Sequence, residues 1–471
     1  MKIQPSNSLT LGEFLKHSGR AADGIISGAN GCVGFKEIVE GTCFQDNSVS
    51  FCGRSVLLAT PDQLTTALAL VKLDGLANRV VLCPHDTDPQ HFKSIISDAQ
   101  IDTVVCGENF SDVASLGLPI GRAHSTVDSQ NSIPIGRRRT EWVLLSSGTT
   151  GSPKLVLHDL ASLISPIMQT TKAVNSVVWA TFYDIRRYAG LQIFLRAIVG
   201  RCSMILSHAG EAVGAHLARL KQHGVTYVSG TPSHWRRVLM SGAANTISPV
   251  YVRLSGEIAD QNILDALHAT YPGAAISHAY ASTEAGVGFN VIDGKEGFPA
   301  TLIDGHDPNA DVVMRVEDGS LRIRSKCTAY RYLGNDQPSL ISPDGFVDTG
   351  DLVDLRGDRY YFIGRRGSVI NVGGLKVHPE EVEMVINKHP AVQKSLVRGR
   401  RNPITGALVV ADILLKQRAQ LSNLNNNQEL LAEDILNRCR AVLPKHKVPA
   451  KVRFVSQLDV SATGKLVRDH E

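Results

Sequence analysis

The sequence predicts an α/β protein: a large N-terminal region of mainly parallel sheets followed by a smaller C-terminal unit. Two observations carry this. Apolar runs of strand length alternate with helical segments, and that alternation belongs to parallel strands covered by helices on both faces. It stops around Gly364-Arg365-Arg366-Gly367, which divides the chain into residues 1–366 and 367–471. In order, Ser55–Ala59 reads as a strand, about 62–76 as a helix, and Arg79–Leu82 and Asp102–Cys106 as strands. Trp142-Val143-Leu144-Leu145 is a further strand, the rhythm persists through Ser203–Leu206, Val225–Ser229 and Ala274–His278, and Arg359–Ile363 is strand-like. Asn423-Leu424-Asn425-Asn426-Asn427 reads as a low-complexity surface loop.

Composition bounds the rest. At 471 residues and 43% hydrophobic content the chain can bury a large core in more than one domain. No apolar stretch approaches the roughly 20 residues that cross a bilayer, and Met1-Lys2-Ile3-Gln4-Pro5 opens no signal-peptide core. A cytoplasmic protein without a membrane span is expected. A net charge of +4, from 49 basic and 45 acidic residues, gives no global reason to bind nucleic acid. Eight cysteines without Cys-x-x-Cys spacing suit reduced thiols rather than disulfides or a zinc site.

Four segments carry chemistry. The strand 142–145 runs into Ser146-Ser147-Gly148-Thr149-Thr150-Gly151-Ser152-Pro153-Lys154. Gly148 and Gly151 permit backbone angles that turn N–H groups inward, while the hydroxyls and Lys154 complete a loop suited to phosphate. Pro153 separates the last glycine from the lysine, so this is not a Walker loop; a solvated turn is the alternative. Tyr280-Ala281-Ser282-Thr283-Glu284 follows a strand whose carboxyl end is where open α/β sheets bind ligands. There the aromatic ring can stack on a base, the hydroxyls meet phosphate, and Glu284 hold Mg²⁺, or the segment is a capped helix start. In Asp348-Thr349-Gly350-Asp351 the carboxylate of Asp351 can accept both ribose hydroxyls, with Arg365 on the same sugar or the phosphate; hairpin-turn chemistry is compatible with that role. Lys465, in Thr463-Gly464-Lys465, can reach a phosphate by domain movement, or is surface decoration.

In this order the segments resemble the signatures of the adenylate-forming superfamily: acyl- and aryl-CoA synthetases, adenylation domains of peptide synthetases, and luciferases. The resemblance implies a small mobile C-terminal α+β lid carrying Lys465 as a catalytic lysine, with Glu284 and Thr283 catalytic and Glu284 and Thr149 at the metal. It implies that Ser255-Gly256-Glu257 lines the adenine pocket. The implied chemistry has two halves. A carboxylate attacks the α-phosphate of ATP to give acyl-AMP and pyrophosphate, and a thiol then takes the acyl group and releases AMP. ATP, Mg²⁺ and CoA, or a phosphopantetheinyl carrier, are the expected cofactors, and a monomer or homodimer the expected state. The leading function is an acid–thiol ligase using CoA. A stand-alone enzyme loading an acyl or amino acid onto a carrier protein is second, and a catalytically silent nucleotide-binding protein belongs to another class.

The thiol half has its own candidates. Gly373 and Gly374 leave room for a pantetheine arm, although a loop before a helix begun at Pro379 explains the proline and the glutamates. Arg398, Arg400 and Arg401 offer a basic cluster for CoA phosphates or an acidic carrier protein, or a solvated loop. Three features depart from the superfamily pattern: Ala281 replaces a glycine, Gly367 occupies the hinge, and Arg187 stands three residues before Gly190 where an aromatic residue or histidine is usual. Arg187 with Gly190 therefore contacts the acid, or Arg186 and Arg187 serve structural contacts such as an ion pair with Asp184.

Overall fold

The computed structural model describes residues 9–16, 24–45, 49–107, 116–133, 135–146, 153–168, 177–304, 310–335, 337–372, 375–402, 406–416 and 428–458. Among these, two eight-stranded sheets dominate. In the first, Ala275–Ser282, Tyr251–Ser255, Tyr227–Gly230, Val178–Thr181, Ser203–Ile205 and Ile25–Ser27 run parallel. Antiparallel Gly286–Val291 and Cys32–Gly34 close its edges. The second sheet has a parallel centre of Glu141–Ser146, Arg79–Leu82, Ser55–Ala59, Thr103–Cys106 and Ile120–Asp128. Lys154–Asp159 and then Arg331–Leu333 add antiparallel strands beside Glu141–Ser146.

The main core lies between these sheets. One cluster joins Ile26 and Met204 of the first to Val56, Leu58, Val80 and Trp142 of the second. The helix Gln63–Leu73 sits inside it, and every one of its residues is buried. Its sequence is accordingly apolar on nearly all sides, as a helix enclosed by core must be. Asp62 caps its start by accepting from the Thr65 amide at 2.9 Å. The helix stops at Leu73, short of the expected 76, because Gly75 has φ +85 and any Cβ there would meet the Gly136 carbonyl at 2.6 Å. Asp74 turns inward at that point and accepts from the Leu11 amide and the Trp142 indole at 2.8 and 3.1 Å.

A five-stranded sheet of Phe298–Pro299, Arg359–Arg365, Val347–Arg356, Ser320–Ser325 and Val312–Glu317 is antiparallel throughout. The parallel rhythm therefore holds for the two large sheets and not for this one. Asp348–Asp351 lies within a strand, not in a hairpin turn. Alternating exposed and covered positions at its start let one face pack while the other stays polar.

Residues from Ile370 onward build a separate core, including Val377, Val382, Ile386, Val397, Ile413 and Ile435. Helices Pro379–Asn387 and Gln428–Val442 pack here with a three-stranded sheet of Val392–Asn402, Gly406–Leu415 and Lys451–Val455. The asparagine-rich run 423–427 lies outside the described residues.

The helix Tyr188–Gly200 covers the inner face of the first sheet, and its first turn explains one glycine. A Cβ at Gly190 would stand 2.1 Å from the Asp184 carbonyl oxygen, so the residue allows helix and preceding loop to touch. Gly190→Ala should destabilise the protein by about 2 kcal/mol or more, as overpacking does. Denaturant unfolding checks this, and wild-type stability would show that the helix start shifts freely.

Candidate active site

The phosphate-loop flanks are fixed by sheet register. Ser146 pairs with Lys154 at the end of two antiparallel strands, while Ser147, Gly148, Thr149, Thr150 and Gly151 lie outside the described residues. The Ser146 hydroxyl donates to Glu284 Oε1 at 2.9 Å. Lys154 Nζ stands 4.9 Å above the ring of Tyr332, which comes from the adjoining strand. Burial, and then the charge of Glu284 with which its hydroxyl also hydrogen-bonds, push the Tyr332 phenol up.

Glu284 sits in the turn between Ala275–Ser282 and Gly286–Val291, so this segment is a strand-turn-strand and not a helix start. The reason is steric. Gly286 has φ +79, and a Cβ there would meet Cys327 Cβ at 2.5 Å. The Ala329 amide donates to the Glu284 carbonyl at 2.9 Å. The Ser282 hydroxyl accepts from the Ala285 amide at 3.0 Å, a turn role not foreseen in the phosphate reading. Ala281 packs against the main core. The Thr283 carbonyl is held 2.8 Å from His158 Nε2.

Tyr280 points to the antiparallel sheet. Its hydroxyl donates to Asp351 Oδ2 at 2.6 Å, and Arg365 Nε meets Asp351 Oδ1 at 2.9 Å. Arg365 also donates to the Thr349 carbonyl at 3.1 Å. Ring centroids of Tyr280, Phe289 and Phe362 are 5.2, 5.7 and 6.4 Å apart. They form a triangle rather than a sandwich, so the phenylalanines back the tyrosine from one side. Burial, then the Asp351 charge, hold the Tyr280 phenol well above its ordinary value. Ser146, Lys154 and Glu284 thus form one group and Tyr280, Asp351 and Arg365 another, drawn from three sheets and linked by the segment 280–284.

The Ser255-Gly256-Glu257 segment leaves the same carboxyl end of the first sheet. Ser255 is tied to buried Tyr183, whose hydroxyl donates to the Ser255 carbonyl at 2.7 Å. Gly256 takes φ +84. Glu257 accepts from the Ser233 amide and hydroxyl at 3.0 and 2.7 Å. A carboxylate at the start of the helix Pro232–Met240 suits the helix dipole. Lys394, from the C-terminal unit, reaches Ser233 Oγ at 3.1 Å and Glu257 Oε2 at 3.7 Å.

The arginine pair makes the structural contacts that were one of its two readings. Arg186, not Arg187, binds Asp184, and it also donates to the Thr60 carbonyl at 2.7 Å. Burial would raise Asp184, but His85 and Arg186 hold it below the ordinary carboxylate range. Arg187 grips both oxygens of Asp86 at 2.7 and 2.6 Å. Both guanidiniums make structural contacts, and Gly190 packs against the Asp184 carbonyl. Arg398 pairs with Asp412 at 3.1 Å, whereas Arg400 and Arg401 are exposed. Gly373, Gly374 and Lys465 lie outside the described residues.

Sequence reasoning missed His158 and Tyr332. A histidine inside the apolar run Leu155-Val156-Leu157 and onward was the available signal for the first. His158 is wholly buried, and burial lowers it to about 4, with the Thr283 hydrogen bond opposing. A histidine depressed from 6.5 in the fold contributes stability that is complete above pH 6.5 and lost as pH falls toward 4. Wild type should lose about 3 kcal/mol more than His158→Gln over that window. Chemical denaturation at both pH values measures the difference, and equal slopes would reject the assignment.

Comparisons agree with this geometry. Residues 56–333 match the model of the AMP-binding enzymes, and residues 381–465 match the AMP-binding enzyme C-terminal domain. Human mitochondrial acyl-coenzyme A synthetase ACSM1 is 24% identical over 451 residues, covering 89% of this chain and 75% of that protein. Feruloyl-CoA synthase of an Amycolatopsis species is 24% identical over 390 residues, covering 75% and 73%. The anthranilate CoA ligase AuaEII, solved with anthranoyl-AMP, superposes with a TM-score of 0.78 at 19% identity over 97% of this chain and 95% of its own. The first family match spans the phosphate loop, Tyr280, Glu284 and Tyr332 and covers more than half of the sequence, so the chain belongs to the AMP-binding enzymes of the adenylate-forming superfamily.

Proposed function

We propose that the protein is an AMP-forming carboxylic acid–CoA ligase. The observation that carries this reading is the segment 280–284, which bears two contacts at once, Glu284 with Ser146 and Tyr280 with the Asp351 that Arg365 also pairs. It joins a phosphate end to a ribose end at one sheet edge. Lys154 and the 146–154 loop receive the triphosphate. Asp351 keeps acceptor capacity beyond its two bound donors, since a carboxylate offers about four lone-pair sites, and accepts the ribose hydroxyls. Ser255-Gly256-Glu257 borders the adenine.

The reaction needs no protein nucleophile. The substrate carboxylate oxygen attacks the α-phosphorus, the bond to the β-phosphate oxygen breaks, and pyrophosphate leaves. The CoA thiol then loses its proton and attacks the acyl carbon, and AMP leaves with the electron pair of the C–O bond. Catalysis rests on positioning and charge stabilisation. Glu284 presents a hard oxygen donor beside the phosphate end, which fits Mg²⁺; Thr149 is the proposed second ligand, and the ion would neutralise phosphate charge there. Thr283, at the same turn, faces the acyl-phosphate end. We place the hinge at 366/367, with Gly367 absorbing the rotation that brings Lys465, and afterwards Gly373 and Gly374, to the active site. The described cysteines are all free thiols, which supports a cytoplasmic location. Acting as a monomer or homodimer, the enzyme uses CoA in preference to a carrier protein.

Lys465 tests the mechanism. If it stabilises charge only during adenylation, Lys465→Ala should slow acid-dependent pyrophosphate release by about 100- to 1000-fold. The same variant should still convert supplied acyl-AMP and CoA to thioester. Equal loss of both half-reactions, measured by pyrophosphate release and thioester formation, rejects the role.

A further inference from the structure

Two arginines lie where the helix Tyr188–Gly200 covers the first sheet, one on the helix and one on a strand. Arg253, in the strand Tyr251–Ser255, is 8% exposed. Its NH1 donates to Asn290 Oδ1 at 2.6 Å and lies 3.4 Å from the Tyr251 hydroxyl. Among the described residues it makes no ion pair, so its polar partners there are neutral. Arg196, half-buried on the helix, is lowered to about 10 by burial and then by the charge of Arg253. The two cations also hold the Tyr251 phenol below its ordinary value against the effect of burial, together with a 2.7 Å hydrogen bond to Ser277. Bringing like charges together in a covered site, one of them with no carboxylate beside it, costs several kcal/mol unless an anion arrives.

The location says which anion. The helix begins beside the reacting end: the Tyr188 ring lies 5.8 Å from that of His158, which holds the Thr283 carbonyl. Arg196 lies eight residues further, roughly 12 Å along the helix. On the sheet side Arg253 pairs in register with Ser277, and Ser277 is four residues before Ala281, roughly 13 Å along that strand. Helix and strand thus leave the reacting end together and each carries an arginine at the same depth. Asn290, which Arg253 touches, pairs with the strand next to Ala279 in register and brings the guanidinium about one two-residue step nearer.

We propose that Arg196 and Arg253 form the far end of the acid pocket and that the substrate is a dicarboxylate whose remote carboxylate seats between them. This rests on the ligase reading above. The near carboxylate attacks ATP while the remote one neutralises the arginine pair, and an aliphatic spacer of several carbons fills the distance. A monocarboxylic acid of equal length leaves Arg253 without a carboxylate.

The test measures kcat/KM for pyrophosphate release with adipate, suberate and sebacate against hexanoate, octanoate and decanoate. At least one diacid should exceed its monoacid by about 100-fold or more, the scale of one good charge-assisted pair. Arg253→Met should reduce that ratio at least tenfold, and Arg253→Lys should retain part of it. Arg196→Met gives the same readout if circular dichroism shows Arg253→Met to be unfolded. Turnover of monoacids with no diacid preference, or an unchanged ratio in both methionine variants, overturns the inference and leaves the ligase reading standing. Pyrophosphate release with neither series overturns the inference, and its absence with aromatic acids as well overturns the ligase reading.

Discussion

Two carboxylates hold the active site together, because each is shared between sheets that have no backbone ladder in common. Glu284 belongs to the edge turn of the first sheet and receives Ser146 from the second. Asp351 belongs to the antiparallel sheet and receives Tyr280 from the first. Hydrogen bonds to a charged group are worth about 1.5–3 kcal/mol each, and removal of one partner leaves a covered charge unsatisfied. The proposed phosphate and ribose ends are therefore set relative to one another by side chains. Backbone geometry sets the precision of that arrangement: Gly286 lets the Glu284 turn lie against Cys327, where any side chain would force it away.

Much of this was legible in the sequence because it depends on local chemistry. The parallel strands were found by apolar runs, and Ser146, Lys154, Tyr280, Glu284, Asp351 and Arg365 by motifs of unusual composition. What escaped depends on contacts between distant segments. Nothing local announces that Tyr332 lies under Lys154, since that follows from the pairing of Arg331–Leu333 with Lys154–Asp159. Nor does composition separate Thr-Gly-Asp in a turn from Thr-Gly-Asp in a strand. Gly350 takes φ +69 within an element that remains paired on both sides, and the irregular register of its neighbours absorbs the distortion.

The contact of Lys394 with Glu257 and Ser233 gives the C-terminal unit a fixed seat in this arrangement. Its energetic meaning is easily overstated. Both groups are largely covered, with side-chain exposures of 19% and 12%, and burial lowers the lysine. Attraction in such a pair is mostly offset by the loss of hydration, whereas mutation of one partner strands the other. Rotation of the whole unit would rehydrate both charges at once. The pair can thus specify one orientation without raising a large barrier to leaving it, which suits an enzyme whose proposed cycle presents Lys465 and then Gly373 and Gly374 to the same place. Glu257 belongs to the proposed adenine border, so that border and the C-terminal unit share one short loop.

The arginines show how far a sequence argument about charge can go. Arg187 drew attention because it replaces a residue type expected at the acid, yet an aspartate a hundred positions away neutralises it. Arg196 and Arg253 drew none, although each interrupts an apolar run, in Leu195-Arg196-Ala197 and in Val252-Arg253-Leu254. A cation in a covered strand or helix must be compensated, and the sequence shows the need without showing the partner. The structure divides the two cases. Arg186 and Arg187 find Asp184 and Asp86, which makes them part of the framework, while Arg253 has only neutral polar partners among the described residues and a second guanidinium nearby. A positive charge with no carboxylate beside it among the described residues leaves the counter-charge to a ligand, and in a carboxylate-activating enzyme the proposed ligand is the acid.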